Sequence, residues 1–200
     1  MKSIPRHKVF ISYHHKNDQK YKNQLQRFGE QNNVFVDRSI KMGKIPDHLS
    51  DKQTAKRIRD KYLRDSTVTI LLAGTNTKYR KHVDWELHSS MYDSGIYNKS
   101  GILVITLPEI NDFNVLAAHS EEEKKIIHPE IKSWAKIGPK DFSYLPDRIL
   151  DNLNREDVSI SVLPWEKATH SPEKLKYLIH LTFLNRKQCN YDYSCPMLDR

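Results

Sequence analysis

Three short stretches carry residues able to do chemistry. In KHVDWELHSS, residues 81–90, Asp84 and Glu86 flank Trp85 in the first turns of a helix-like pattern. In SYHHKND, residues 12–18, Ser12, Tyr13, His14 and His15 follow an apolar run. Asp37 closes a second run, NVFVD. A helix glutamate is either ordinary solvated charge or the working carboxylate of a site, and the fold decides which. Adjacent histidines at a strand end can bind metal, stack on a ligand or hydrogen-bond to it. No His and carboxylate spacing here matches a metal motif such as HExxH, so stacking or hydrogen bonding is the expectation and no metal is.

The elements that position these residues alternate in type. KVFISY, residues 8–13, suits a buried parallel strand. Tyr21, Leu25 and Phe28 then recur at helical spacing, with Gly29 as a stop signal. The second strand is NVFVD, residues 33–37. A helix over about 50–64 follows, capped by Ser50 or Asp51, with Ala55, Ile58 and Tyr62 facing inward. TVTILLAG, 67–74, is the third strand. The helix bearing Glu86 comes next and is closed by Gly95. GILVITL, 101–107, is the fourth strand and VSISVLPW, 158–165, the fifth. Ser171 caps a last helix with Pro172 at its first position, and Leu175, Leu178, Ile179 and Thr182 or Phe183 form its buried stripe. Between the last two strands, residues 108–156 read as an irregular insertion, with a capping-box signature from Ser120 to Glu123. Residues 188–200 form a short tail.

Strands alternating with helices predict a single α/β domain over 1–200. The expected architecture is three-layered and flavodoxin-like, with five parallel strands in the order 2-1-3-4-5 and helices on both faces. Ligands of such sheets bind beyond the carboxyl ends of the strands, at the switch point between strands 1 and 3. The loops SYHHKND and GTNTKYRK flank that point, so Glu86 enters its helix beside the expected crevice. At about 100° per residue, Val83, Leu87 and Met91 define the buried stripe and Glu86 flanks it, away from Trp85. A carboxylate half-buried there is partly desolvated and its pKa rises. The other reading is a solvated or salt-bridged glutamate. Ser12 and Tyr13 alternate, so one faces the packing and the other the crevice. Asp37 is either a cleft carboxylate or a cap for the next turn.

Composition narrows the classes. The chain has 200 residues and a net charge of +8. Lys and Arg are scattered rather than gathered in a block, so a nucleic-acid surface is not expected. No apolar run approaches the ~20 residues of a membrane span, and MKSIPRHK has no signal-peptide core. Cys189 and Cys195 match no zinc spacing and are expected to be reduced thiols of a cytoplasmic protein. GxGxxG, GxxxxGK[ST] and GxSxG are all missing, which sets aside dinucleotide fingerprints, P-loops and nucleophile elbows. SYHH and AGTN stand where a phospho-receiver domain needs acidic clusters.

Taken in order, KVFISYHHKND, FVD, TVTILLAGTNTKYRKHVDWEL and GILVITLP resemble the TIR and TIR-like domains, in particular the ThsB family of Thoeris anti-phage systems. The likeness runs over about residues 7–110 and is weak beyond. It implies cleavage of NAD⁺ as substrate, with no further cofactor, to an ADP-ribose-derived messenger. It implies a messenger-binding effector downstream, self-association and a phage-derived trigger. The family's catalytic glutamate falls on Glu86, and its ligand contacts fall on Ser12, Tyr13, His14, Asp37 and Trp85. One departure is His14, where typical TIR domains carry a small polar residue. Two other readings stay open: a non-catalytic TIR-like assembly module, and a flavodoxin-like nucleotide-binding domain.

Overall fold

The computed structural model describes residues 4–39, 48–110, 116–134 and 142–198. In chain order the elements are β1 (His7–Ser12), α1 (Gln19–Gln31), β2 (Phe35–Asp37), α2 (Asp51–Tyr62), β3 (Val68–Ala73), a 3₁₀ turn (Thr77–Tyr79) and α3 (Lys81–Met91). There follow β4 (Gly101–Thr106), α4 (Glu121–Ile127), α5 (Asp147–Leu153), β5 (Ile160–Pro164), α6 (Trp165–His170) and α7 (Pro172–Asn185). The strands form one parallel sheet in the order β2-β1-β3-β4-β5, as the alternation predicts.

Strand alternation divides the core. Val9, Ile11, Ile70, Leu72, Leu103 and Ile105 point to one face, where Tyr21, Leu25, Leu175, Leu178 and Ile179 cover them from α1 and α7. Leu71, Ile102, Val104, Ile160 and Val162 point to the other face, against Val83, Leu87 and Met91 of α3 and Ile149 of α5. Phe10 belongs to this second side too and packs with Ala55, Ile58, Tyr62 and Trp85. Each such fully buried apolar side chain contributes about 1.5–3 kcal/mol. The register sets Ile11 against Ile70, Leu71 against Val104 and Val104 against Val162.

Several local signals act as their chemistry requires. Ser50 and Gln53 form a complete capping box at the start of α2. Ser171 Oγ accepts from Lys174 N, with Pro172 opening α7. The Ser120 signature is half a box: Ser120 Oγ accepts from Glu123 N at 3.0 Å, but the Glu123 carboxylate takes the His119 N–H instead of that of Ser120.

Other expectations need correction. α1 does not stop at Gly29 but runs to Gln31, and Asn33 takes the left-handed turn at φ 53°. Gly29 is small because a Cβ there would meet the Phe35 ring at 2.5 Å. α3 ends at Met91, and Gly95 serves the turn beyond it at φ +79°. Within 108–156 the described residues hold two short helices, α4 and α5, and a bridge between Ala117 and Val162. Neither α5 nor α6 has a polar residue at its N-cap, Pro146 and Pro164 standing there, which removed the usual start signal. No helix among the described residues is long and apolar enough to cross a membrane.

Candidate functional site

β1 ends at Ser12 between β2 and β3, which places its last residues at the switch point of the sheet. Ser12 lies two residues beyond Phe10 and so points to the same face, toward α3. Its Oγ donates to Glu86 Oε2 at 2.6 Å. Ser12 is fully buried and Glu86 is 3 % exposed. Burial pushes the Glu86 carboxyl up to about 8, against the downward pull of the Ser12 hydrogen bond. The expectation of a half-buried glutamate was too mild, because α3 is enclosed beyond its first two residues: each residue from Val83 to Met91 is buried.

Glu86 forms part of the wall of a cleft of about 300 Å³. Phe10, Ile11, Tyr13 and His15 of β1 and its loop line it, together with Gln19 and Lys22 of α1 and Ser39 after β2. Tyr13 and His15 lie ring against ring, 4.5 Å between centroids, and the Tyr13 hydroxyl donates to Gln19 Oε1 at 2.8 Å. Burial raises the Tyr13 pKa against the pull of the Gln19 hydrogen bond, and the carboxylates of Glu86 and Asp37 add to the rise. The phenol therefore lies within electrostatic reach of both acids.

The two loops beside the cleft are braced together. The amide of Gly74 donates to Thr77 Oγ1 at 2.8 Å, and Thr77 Oγ1 donates to the buried Asp18 carboxylate at 3.4 Å. This joins the entrance to α1 with the approach to α3.

The remaining expected contacts divide. Asp37 caps its turn, accepting from Ser39 N at 2.8 Å and Ser39 Oγ at 2.5 Å. It also pairs with Lys22 at 3.0 Å, so it frames the cleft rather than standing free in it. His14 is not on the cleft wall. The chain turns there, its carbonyl accepting from Asn17 N and Asp18 N, and its ring is buried. Burial, then Arg80 and Lys16, lower the His14 pKa. His15 takes the place at the cleft that the sequence reading gave to His14.

Trp85 is also away from the wall. It packs with Ile58 and Tyr62 of α2 behind Phe10, and its Nε1 donates to Leu198 O at 3.0 Å. Successive helix positions diverge by about 100°, so Trp85 and Glu86 cannot share a face. Sequence reasoning missed Lys22 and Gln19, because α1 was read through its apolar stripe alone. The signal was available: the first turn of a helix that follows a switch-point strand stands beside the crevice.

The helix carrying Glu86 is locked from behind. Arg148 of α5 makes a two-point pair with Asp84, 2.9 and 3.2 Å, with side-chain exposures of 0 % and 5 %. Arg148 also donates to the carbonyls of Cys195 and Pro196, and Leu198 N donates to Asp84. The tail therefore straps α5 to α3. Among the described residues no cluster of His, Cys, Asp or Glu is placed to hold a metal ion.

The parallel sheet, with a buried carboxyl at its switch-point cleft, defines an α/β domain of flavodoxin-like fold. The profile of the Thoeris protein ThsB TIR-like domain matches residues 10–112, just over half of the chain, and the chain belongs to that family. The match contains Ser12, Tyr13, Lys22, Asp37 and Glu86. Comparison with curated proteins found no match.

Proposed function

We propose that this protein is an NAD⁺-cleaving enzyme that makes an ADP-ribose-derived signal in anti-phage defence. The observation that carries the reading is Glu86, a buried carboxyl held by Ser12 and bordering the cleft. Family membership supports it. The cleft lies at the lower end of ligand-pocket sizes, about 300–1,000 Å³, and suits the nicotinamide riboside end of the dinucleotide.

The bond that breaks joins ribose C1′ to the nicotinamide nitrogen. Its electron pair leaves with nicotinamide, which departs neutral, and C1′ acquires oxocarbenium character. The Glu86 carboxylate faces that charge and stabilises it. A hydroxyl or water then adds at C1′ and releases its proton. Nicotinamide is a good leaving group, so no general acid is required. Before substrate binds, burial keeps Glu86 largely protonated at neutral pH. The positively charged nicotinamide ring favours the carboxylate, so binding draws the proton off.

The product acts on a messenger-binding effector, after self-association and a phage-derived trigger complete the active form. The test is incubation of the protein with NAD⁺, with and without lysate of phage-infected cells, and mass spectrometry of nicotinamide and nucleotide products. Wild type should release nicotinamide and Glu86→Gln should not. No release under either condition, from folded protein, would transfer the weight to a non-catalytic assembly module.

A further inference from the structure

We infer that Lys22 is the anion-recognising residue of the cleft and selects a substrate that carries a diphosphate. The inference rests on the NAD⁺ reading for the identity of the substrate.

A lysine on a surface helix normally extends into water. Lys22 does not: its side chain is 13 % exposed. Its Nζ donates to Asp37 Oδ2 at 3.0 Å and to Gln26 Oε1 at 2.6 Å. An ammonium has three N–H donors, and these two bonds leave one for whatever enters the cleft. Asp37 is itself fixed. Its Oδ1 accepts twice from Ser39, and Ser39 Oγ accepts from Ile11 N at 2.9 Å. The chain Ile11–Ser39–Asp37–Lys22 thus ties the ammonium to β1, and a lysine held in this way loses little further freedom on binding.

Placement adds direction. α1 covers one face of the sheet and α3 the other. Lys22 and Glu86 therefore border the same cleft from opposite sides of β1. A ligand that satisfies both needs an electron-poor centre beside the carboxylate and an anion beside the ammonium. A nicotinamide riboside joined to a diphosphate has that arrangement of charge.

The test uses full-length protein carrying Glu86→Gln, so that ligand is not consumed, and calorimetric titration with NAD⁺, ADP and nicotinamide riboside. Lys22→Met should weaken NAD⁺ and ADP by about tenfold or more, the size of one charge-assisted hydrogen bond, and leave nicotinamide riboside unaffected. Lys22→Arg should retain most of the affinity. Because Lys22→Met strands Asp37, the pair Lys22→Met with Asp37→Asn is run beside it and should show the same selective loss. Equal weakening of all three ligands, or no weakening, would overturn the inference. ADP binding that depends on Lys22 in a protein whose wild type never cleaves NAD⁺ would uphold it and defeat the proposed activity instead.

Discussion

Ser12 and Glu86 meet across 2.6 Å, a strand residue and a helix residue seventy-four positions apart in sequence, both buried. Among the described residues this hydroxyl is the hydrogen-bond donor to the carboxyl, so it is the group that favours ionisation. Ser12→Ala should raise the pH of half-maximal nicotinamide release by about one unit or more. The other polar and charged neighbours at the cleft, Tyr13, His15 and Lys22 with Asp37, remain in place. Ser12→Thr, which keeps the hydroxyl, should restore the profile. An unshifted pH profile in Ser12→Ala would disprove the relationship.

Glu86 should also mark the stability of the fold. Its carboxyl titrates near 8 in the native state against an ordinary value of 4.5. Below about 4.5 it is protonated in folded and unfolded chains alike and adds no slope. Between about 4.5 and about 8 the native state keeps a proton that the unfolded chain has released. Stability therefore falls as pH rises, by at most about 1.4 kcal/mol per unit from this group. Glu86→Gln should remove that slope. Urea unfolding at pH 5, 6, 7 and 8 reads it as a gap between variant and wild type that grows in the variant's favour.

Arg148 and Asp84 form a buried pair whose loss should be structural. Arg148→Met leaves Asp84 buried without its cation and frees the carbonyls of Cys195 and Pro196. Denaturant unfolding should show a loss of about 3–5 kcal/mol. A loss within experimental error would mean that the strap holds nothing.

Trp85 separates a packing role from a ligand role. Trp85→Phe keeps most of the buried ring and loses the hydrogen bond to Leu198 O. Stability should drop by about 1 kcal/mol, while KM for NAD⁺ is unchanged. A raised KM with unchanged stability would return Trp85 to the ligand.

The sheet was legible because its strands are short apolar runs set between helical periods, and a five-stranded parallel sheet leaves few right-handed connections. Glu86 was legible as a candidate because switch-point geometry singles out the helix after β3. Its full burial was not, since α2, α5 and the tail cover α3 from parts of the sequence with no periodic link to it. His15 and His14 exchanged places for a similar reason: a turn begins at His14, and a two-residue alternation stops predicting direction where the strand stops. Lys22 was hidden because its partner Asp37 lies on the next strand, and an ion pair between elements leaves no spacing to read.

The burial of α3 from Val83 to Met91 has one further consequence. A helix packed in this way cannot tilt or slide without disturbing several layers at once, since packed interiors resist deformation. Its backbone amides should therefore be among the slowest in the chain to exchange with deuterium. The carboxyl of Glu86 is in effect a fixed landmark, and any change in the shape of the cleft has to come from the opposite bank, where Tyr13 and His15 stand.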